Sequence, residues 1–202
     1  MPAASPGSVF PGSGDPGVLV VRVGAGAVAA SLGAATARRT VPDADRPEPG
    51  ALWRATLAAA LEVLDAAGPP GPTTVEVVGD GGTVVWWDVD TLGSPLPVAR
   101  TEDAAAHLAG LAATEPHTWA LAVAGRYAAG DVASYLVARM TRGLEHLLLP
   151  GPAWDLGRCR DAGVPADILP EPAPRGVPVA TTDPATFLGL AVPLTLRAPP
   201  AG

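Results

Sequence analysis

Short apolar runs separated by Gly- and Pro-rich stretches set the first predicted elements of the chain. Residues 18–23 form an almost uninterrupted apolar, largely β-branched run, which predicts a strand buried on both faces. A turn follows at residues 24–26, and the small residues over 27–36 predict a returning second strand. Residues 38–49 are charged and rich in proline, which predicts a loop.

From residue 50 the apolar positions change to helical spacing. They recur three and four residues apart and predict an amphipathic helix that ends at Gly68. Residues 73–78 and 83–89 then return to strand patterns. A turn-rich connection over 92–97 leads into the second half of the chain. The helix positions are Leu52, Trp53, Thr56, Leu57, Ala60, Leu61 and Leu64.

The second half of the chain is more helical. One helix is predicted over 102–113 with Thr101 as its N-cap, and Pro116 opens a second, short one. Two more are predicted over 131–142 and 154–162, and the last forty residues predict loops joined by short extended pieces. This order of strands and helices is typical of an α/β or α+β core.

The charge balance excludes several classes of function. All 13 basic residues are arginine, and against 20 acidic residues they give a net charge of −7. Such a balance disfavours non-specific binding to nucleic acid or to an anionic membrane. Without lysine the chain cannot perform Schiff-base chemistry, form a Walker-type phosphate clamp or use a Ser–Lys dyad.

Cysteine usage and the amino-terminal segment indicate the compartment. Cys159 is the one cysteine, so an intrachain disulfide and a multi-cysteine metal site are excluded. Although Arg158 and Arg160 flank it, no motif or histidine supports a nucleophilic role. Residues 1–16 predict a disordered tail rich in Pro, Gly and Ser, without the pattern of a signal peptide. The sequence predicts a cytoplasmic protein that neither spans a membrane nor binds nucleic acid.

Five passages follow one another in the order of a known set of motifs. The sequences that carry them are GALWRATL at 50–57, VVGDGGTVVWWD at 77–88, GSPLP at 93–97, EPHTW to MTRG at 115–143, and WDL to GVPADILPE at 154–171. Together they resemble the N-terminal domain of the FGGY carbohydrate kinases, the xylulokinase branch in particular. The family counterparts are the WWxA helix, the strand ending in GQMHG, the turn before WNDxR, the EPEx[FW] to LTG passage and the W to LP passage.

The resemblance implies a fold and a domain division. The fold is α/β and ribonuclease-H-like, an actin/hexokinase-type ATPase domain with a mixed sheet flanked by helices. The domain covers residues 17–197, between the tail at 1–16 and a second tail at 198–202. We expect the first strand to be central, with Val18, Val20 and residues 75–77 buried together.

The phosphate turn departs from the family pattern. In the family the first strand ends in an Asp-x-Gly-Thr turn, whose aspartate positions the metal–nucleotide phosphates. Here Arg22 replaces that aspartate, and Gly24, Ala25 and Gly26 follow. Arginine cannot coordinate Mg²⁺, which requires oxygen ligands. We therefore expect a degenerate cofactor site that retains neither the ATP nor the Mg²⁺ of the family, and we assign no metal ligand.

The sugar-binding and general-base positions depart as well. The Gln-Met-His passage becomes Asp80, Gly81 and Gly82, and the WNDxR passage falls near Glu102 and Asp103 without its tryptophan or second arginine. The region of the family's general base has no carboxylate, and the family's second, nucleotide-binding domain has no counterpart in the sequence. We assign no catalytic residue.

These departures predict a non-catalytic pseudokinase or binding module. The alternative is an ATP-dependent kinase for a pentose or polyol, completed by a separate C-terminal nucleotide-binding domain. The sequence names no partner, and the resemblance implies two candidates, an intact sugar kinase or that separate domain.

Two of these segments allow other interpretations. At residues 24–26 a hairpin turn is favoured over a dinucleotide-binding loop, because the third glycine of that fingerprint is missing. Asp80, Asp88 and Asp90 offer the oxygen ligands that Mg²⁺ or Ca²⁺ prefers, but aspartates at strand ends are more often turn residues.

The remaining candidate side chains are aromatic or charged. The histidines, at 107, 117 and 146, form no helical pair and are not assigned to catalysis. Trp86 and Trp87 should point to opposite faces of a strand, and an exposed ring would mark a contact site. Arg22 ends a buried strand, so it must reach solvent or pair with a carboxylate, and Asp80 is the expected partner.

Overall fold

The computed structural model describes residues 15–24 and 26–198. Most of the two predicted tails, and Ala25 of the phosphate turn, lie outside the described residues. The strands are β1 Val18–Gly24, β2 Ala27–Leu32, β3 Ala35–Thr40, β4 Thr74–Gly79, β5 Thr83–Asp88, β6 Ala99–Arg100, β7 Tyr127–Gly130, β8 Leu147–Leu148, β9 Glu171–Pro172, β10 Ala180–Thr181 and β11 Pro193–Arg197. The helices are α1 Pro49–Ala67, α2 Ala104–Thr114, α3 Pro116–Val123, α4 Val132–Met140 and α5 Leu156–Asp161, with a 3₁₀ turn at Ala166–Ile168.

A six-stranded mixed sheet, here called the main sheet, organises the fold. Its strand order is β10-β11-β4-β1-β2-β3, and β1, β4 and β11 are parallel neighbours. The first strand is therefore central, as predicted. The other described sheets are β6-β5-β7 and the pair β8-β9. None of the described helices has the length and apolar character needed to cross a membrane.

The larger of two hydrophobic cores lies on one face of the main sheet, under α1 and α4. Leu19 and Val21 of β1 meet Val75 and Val77 of β4 there in register. The prediction that Val18 and Val20 belong to this core is wrong, because side chains alternate along a strand. Val20 is buried on the opposite face, and Val18 is only partly buried.

Strand β5 connects the two cores. Trp87 lies in the larger core, whereas Trp86 lies in a second core formed mainly by α2, α5 and the segments around them. The two rings point to opposite faces as predicted, but both are buried. The idea that one of them marks an exposed contact site is therefore wrong.

Three local predictions are also corrected. The loop predicted over residues 38–49 begins only after Thr40, because residues 38–40 form the end of β3, which pairs with β2, buries Ala37 and lets Arg39 form an ion pair with Glu62 of α1. One of the short extended pieces predicted in the last forty residues is β11; its pairing with β4, inside the main sheet, was not predicted. The N-cap of α2 is Asp103, which accepts a hydrogen bond from Ala106 N; Thr101 Oγ1 instead accepts one from Asp103 N.

Candidate functional site

The carboxyl ends of the three parallel strands β1, β4 and β11 meet at one edge of the main sheet. Ligand sites in sheets of this kind lie outside the carboxyl ends of the strands. A cavity of about 240 Å³ is found at the ends of β4 and β11. The strand ends line it with Gly79, Asp80, Gly81, Leu196, Arg197 and Ala198, the start of α4 with Asp131 and Ala133, and one loop with Leu149, Pro150, Gly151 and Pro152.

A glycine allows helix α4 to approach the end of β4 and form one wall of this cavity. A Cβ on Gly79 would lie 2.7 Å from the Cβ of Ala133, closer than side-chain carbons approach each other. The contact holds the first turn of α4 against the strand end. It thereby places Asp131, the residue before that turn, in the cavity wall.

Asp131 is a carboxylate that the sequence analysis did not select as a site residue. It is buried, and its Oδ1 accepts hydrogen bonds from Ser134 N at 2.7 Å and Ser134 Oγ at 2.9 Å. Burial raises the pKa of Asp131; the nearby charge of Asp80 also raises it, and the Ser134 hydrogen bonds oppose both effects. The sequence signal was an aspartate at the first residue of the helix predicted over 131–142, a residue type typical of a cap, and it carries no information on burial.

Two predicted site residues come together here. A Cβ on Gly24 would lie 3.4 Å from Asp80 Oδ2, so the ends of β1 and β4 adjoin. Gly81 also lines the cavity, and Gly26 faces Ala44 of the following loop. Strands β1 and β2 pair antiparallel as a hairpin, with Gly24 opposite Ala27, which is the interpretation that the sequence favoured.

The expected ion pair between Arg22 and Asp80 is not among the ion pairs of the described residues. Arg22 alternates with Val21 and Val23, which belong to the core under α4, so its side chain leaves the sheet on the opposite face. Asp80 follows the last residue of β4 and lies beside Gly24, which is two residues after Arg22 and has the same side-chain direction. Arg22 and Asp80 therefore lie on the same face at the same edge of the main sheet without forming the expected ion pair.

The other predicted sugar-contact residues do not line the cavity. Gly82 lies beside the backbone of Thr101, and Glu102 is exposed. Asp103 caps α2 and forms an ion pair with Arg158 at 2.7 Å, and hydrogen bonding from the Ala106 backbone lowers its pKa. Asp103 therefore has a structural role at a helix start.

Asp88, one of the aspartates considered as a metal ligand, acts as a turn residue. Its Oδ1 accepts hydrogen bonds from Thr91 N at 2.8 Å and Asp90 N at 3.0 Å, and its Oδ2 pairs with Arg126 at 3.0 Å. The Thr91 backbone and the Arg126 guanidinium hold the pKa of Asp88 at about 2. Within the described ranges no three His, Cys, Asp or Glu side chains cluster as a metal site would require.

Cys159 and two of the histidines are packed into the structure. Cys159 is buried in the second core, and burial raises the pKa of its thiol, which opposes nucleophilic use. His146 Nε2 lies 3.0 Å from Ala129 O, and its ring meets Trp87 edge-on. Burial lowers the pKa of both His107 and His146.

Comparison with solved structures identifies the fold. A xylulose kinase from Rhodospirillum rubrum matches 90% of this chain with a TM-score of 0.73 at 16% sequence identity. A xylulose kinase from Brucella ovis matches 89% with a TM-score of 0.69 at 15% identity, and a glycerol kinase from Plasmodium falciparum, solved with ADP, matches 90% with a TM-score of 0.68 at 11% identity. The fold is that of a sugar kinase. It confirms the predicted actin/hexokinase-type architecture.

The sugar-kinase fold is shared over only part of those proteins. The chain spans about half of their length, 48% of the Rhodospirillum and Plasmodium chains and 47% of the Brucella chain. No protein-family model and no curated protein matches the sequence. The likeness to sugar kinases therefore lies in the backbone architecture.

Proposed function

We propose that this chain is a non-catalytic module built on half of a sugar-kinase fold. One observation carries the proposal: Arg22 stands where the resemblance puts the metal-positioning aspartate, and its side chain leaves the sheet on the face opposite the cavity wall formed by α4. Phosphoryl transfer depends on positioned metal–phosphate contacts and on a residue that orients the nucleophile. An arginine cannot supply an oxygen ligand to the metal.

The carboxylates beside the cavity do not restore that chemistry. Asp131 Oδ1 is engaged in capping α4, and burial together with the charge of Asp80 disfavours its ionised form. Asp80 itself is exposed at the end of β4. Neither stands at the position that the resemblance assigns to the metal-positioning aspartate or to the general base. We infer that the module does not retain ATP and Mg²⁺ as cofactors.

A coupled ADP-release assay tests the proposal. Purified protein is incubated with ATP, Mg²⁺ and a panel of pentoses and polyols, and we expect no sugar-dependent ADP release above that of the heat-denatured protein. Sugar-dependent release that is lost in Asp80→Asn, and kept in the exposed control Asp90→Asn, would contradict the proposal. Release that neither variant changes identifies a contaminating kinase and leaves the expected result in place.

The alternative is a sugar kinase that a separate nucleotide-binding domain completes. Two observations favour it: the cavity at the carboxyl ends of β4 and β11, and the length of the solved kinases, which is about twice that of the matched region. The discriminating experiment adds the separately expressed second half of the Rhodospirillum rubrum xylulose kinase to the assay. We expect no sugar-dependent ADP release, and its appearance only in the mixture would establish the alternative.

A further inference from the structure

Helix α1 has an exposed stripe on the side that faces away from the main sheet. Four exposed residues make up this stripe, here called the α1 stripe: Arg54, Ala58, Leu61 and Asp65. They follow one another at intervals of four, three and four residues, which aligns their side chains along one side of the helix. Leu61 is 48% exposed, which is unusual for a large apolar side chain. The stripe therefore begins with a cation, ends with an anion and is apolar in between.

The solvent side of α1 carries little charge for a surface helix. Of its 19 residues, three are charged: Arg54, Glu62 and Asp65. Surface helices usually place charged and polar residues opposite their buried face. Glu62 lies beside the α1 stripe and is engaged in the ion pair with Arg39. An apolar centre with charges at its ends is typical of a contact surface, in which the core is apolar and the rim is polar.

The α1 stripe is complementary to itself when a second copy is turned end to end. In an antiparallel pair of α1 helices related by a two-fold axis, Arg54 of each copy lies opposite Asp65 of the other. The same register places Ala58 opposite Leu61, so each leucine meets a small side chain of the facing helix. Residues that recur at alternating intervals of four and three are those that interlock when two helices pair.

Charge favours this arrangement over a parallel one. In a parallel pair each charged residue of the stripe would face its own copy, and like charges that meet across an interface repel each other. Asp65 forms none of the ion pairs of the described residues. Arg54 lies 3.4 Å from Glu48, but these side chains are 68% and 72% exposed, and a guanidinium has donors for a second carboxylate.

We propose that the chain forms a two-fold dimer through the α1 stripe. Four side chains from each copy bury less than the area of about 1,000 Å² that a stable interface requires, so the dimer is weak and reversible. The residues of the stripe do not line the cavity at the ends of β4 and β11, so the dimer carries two accessible copies of that cavity. Dimerisation does not depend on whether the chain transfers phosphate, and the two properties are measured separately.

Sedimentation velocity of the full chain between about 10 µM and 1 mM tests the proposal. Wild type should sediment as a monomer at the lowest concentration and increasingly as a dimer at the highest. Leu61→Glu places a carboxylate in the apolar centre of the stripe and should weaken the association at least about tenfold. Leu144→Glu is the matched control, because Leu144 is 82% exposed and lies outside α1. It should stay within about twofold of wild type.

Reversal of the charges tests the antiparallel register. Arg54→Asp and Asp65→Arg each place like charges opposite each other at both ends of the stripe and should weaken the association about tenfold. Arg54→Asp/Asp65→Arg restores both pairs of opposite charges and should return to within about threefold of wild type. An equal mixture of the two single variants should form a heterodimer, because their charges are complementary. Arg160→Asp makes the same change of charge as Arg54→Asp at an exposed position of α5 and should have no effect.

Three results would overturn the proposal: wild type that stays monomeric at about 1 mM, equal effects of Leu61→Glu and Leu144→Glu, or a double charge variant that associates no better than the single ones. Circular dichroism establishes that each variant is folded. If Leu61→Glu is unfolded, the charge variants decide, because they change residues on the solvent side of α1.

Discussion

At the scale of single residues, Asp131 combines burial with a capping role. Its carboxylate is out of solvent, yet it holds the first turn of α4 through Ser134. The capping bonds need an oxygen acceptor but not a negative charge. The charged form is disfavoured mainly by burial and further by the charge of Asp80. An amide at this position would keep the acceptor and remove the unfavourable charge.

We therefore expect the free energy of unfolding of Asp131→Asn at pH 7 to equal or exceed that of wild type. Asp131→Ala loses the cap and should lower the free energy of unfolding by about 1–2 kcal/mol. Because the folded-state pKa is raised, the contribution of Asp131 to stability is present below its ordinary pKa of 3.8 and is lost as the pH rises through the folded value. Urea unfolding of both variants measures these differences.

Asp155 provides the matched control for this prediction. It is the exposed N-cap of α5 and accepts hydrogen bonds from Gly157 N at 2.9 Å and Arg158 N at 3.1 Å. Asp155→Ala should also be destabilising, whereas Asp155→Asn should bring no gain at pH 7. If Asp131→Asn proves as costly as Asp131→Ala, the carboxylate charge is needed and our account of this cap is wrong.

At the scale of elements, the close contact between α4 and β4 builds the wall of the cavity. It depends on the absence of a side chain at Gly79, where a Cβ would lie 2.7 Å from that of Ala133. Gly79→Ala should therefore lower the free energy of unfolding by about 1–3 kcal/mol, the usual cost of overpacking. Thermal and urea unfolding would measure it.

Two further variants define the origin of that cost. Gly110→Ala, within α2, meets no atom within 4 Å and should stabilise the protein by up to about 1 kcal/mol. Adding Ala133→Gly to Gly79→Ala should recover part of the loss, because it removes the opposing methyl group. Additive losses in the double variant would show that the two residues do not clash.

The elements that the sequence predicted well are those with a local signal. The period of α1, the β-branched run of β1 and the proline at the start of α3 each identify an element without reference to distant residues. Strand β3 was missed because Arg38 and Arg39 lie on a strand at the edge of the sheet, where charge is tolerated. Strand β11 was predicted only as a short extended piece, and its place in the main sheet was not predicted because its partner β4 lies far away in the chain.

The candidate site was predicted in composition but not in geometry. The sequence identified Gly24, Asp80 and Gly81, which the fold brings to one edge of the main sheet. The predicted pairing of Arg22 with Asp80 is not among the ion pairs of the described residues, although strand alternation places both on the same face of the sheet. The burial of Asp131 follows from the packing of α4 on Gly79, which is a tertiary contact without a sequence signal.

At the scale of the whole molecule, β5 makes the two cores dependent on each other. Trp87 packs against Tyr135 inside the larger core and against His146 beside that core. Trp86, the preceding residue of the chain, lies in the second core. His146 also joins this region to β7 through its contact of 3.0 Å with Ala129 O. A change at His146 therefore affects the region where the cores meet.

We expect the melting temperature to fall as the pH is lowered from 7.5 to 5. Burial lowers the folded-state pKa of His146, although the hydrogen bond with Ala129 and the charge of Glu171 oppose the shift. The contribution of His146 to the free energy of unfolding is therefore present above its ordinary pKa of 6.5, and it is lost as the pH falls through the lower pKa of the folded state. His146→Gln should flatten this pH profile when it is followed by circular dichroism.

His117, which is exposed, provides the control. His117→Gln should leave the pH profile unchanged, and His107→Gln should flatten it in part, because burial also lowers the pKa of His107. A profile that stays equally steep in His146→Gln and in the double variant with His107→Gln would show that other groups cause the pH dependence.

The pairing of β4 with β11 sets the order in which the molecule is completed during synthesis. Thr195 Oγ1 donates a hydrogen bond to Val75 O across 120 positions of the chain, and Phe187 is buried against Trp53. At translation rates of about 5–20 residues per second, β4 is made roughly 6 to 24 seconds before β11. During that interval the nascent chain has an unpaired edge in the middle of its future sheet, which is the kind of surface that aggregates or recruits a chaperone.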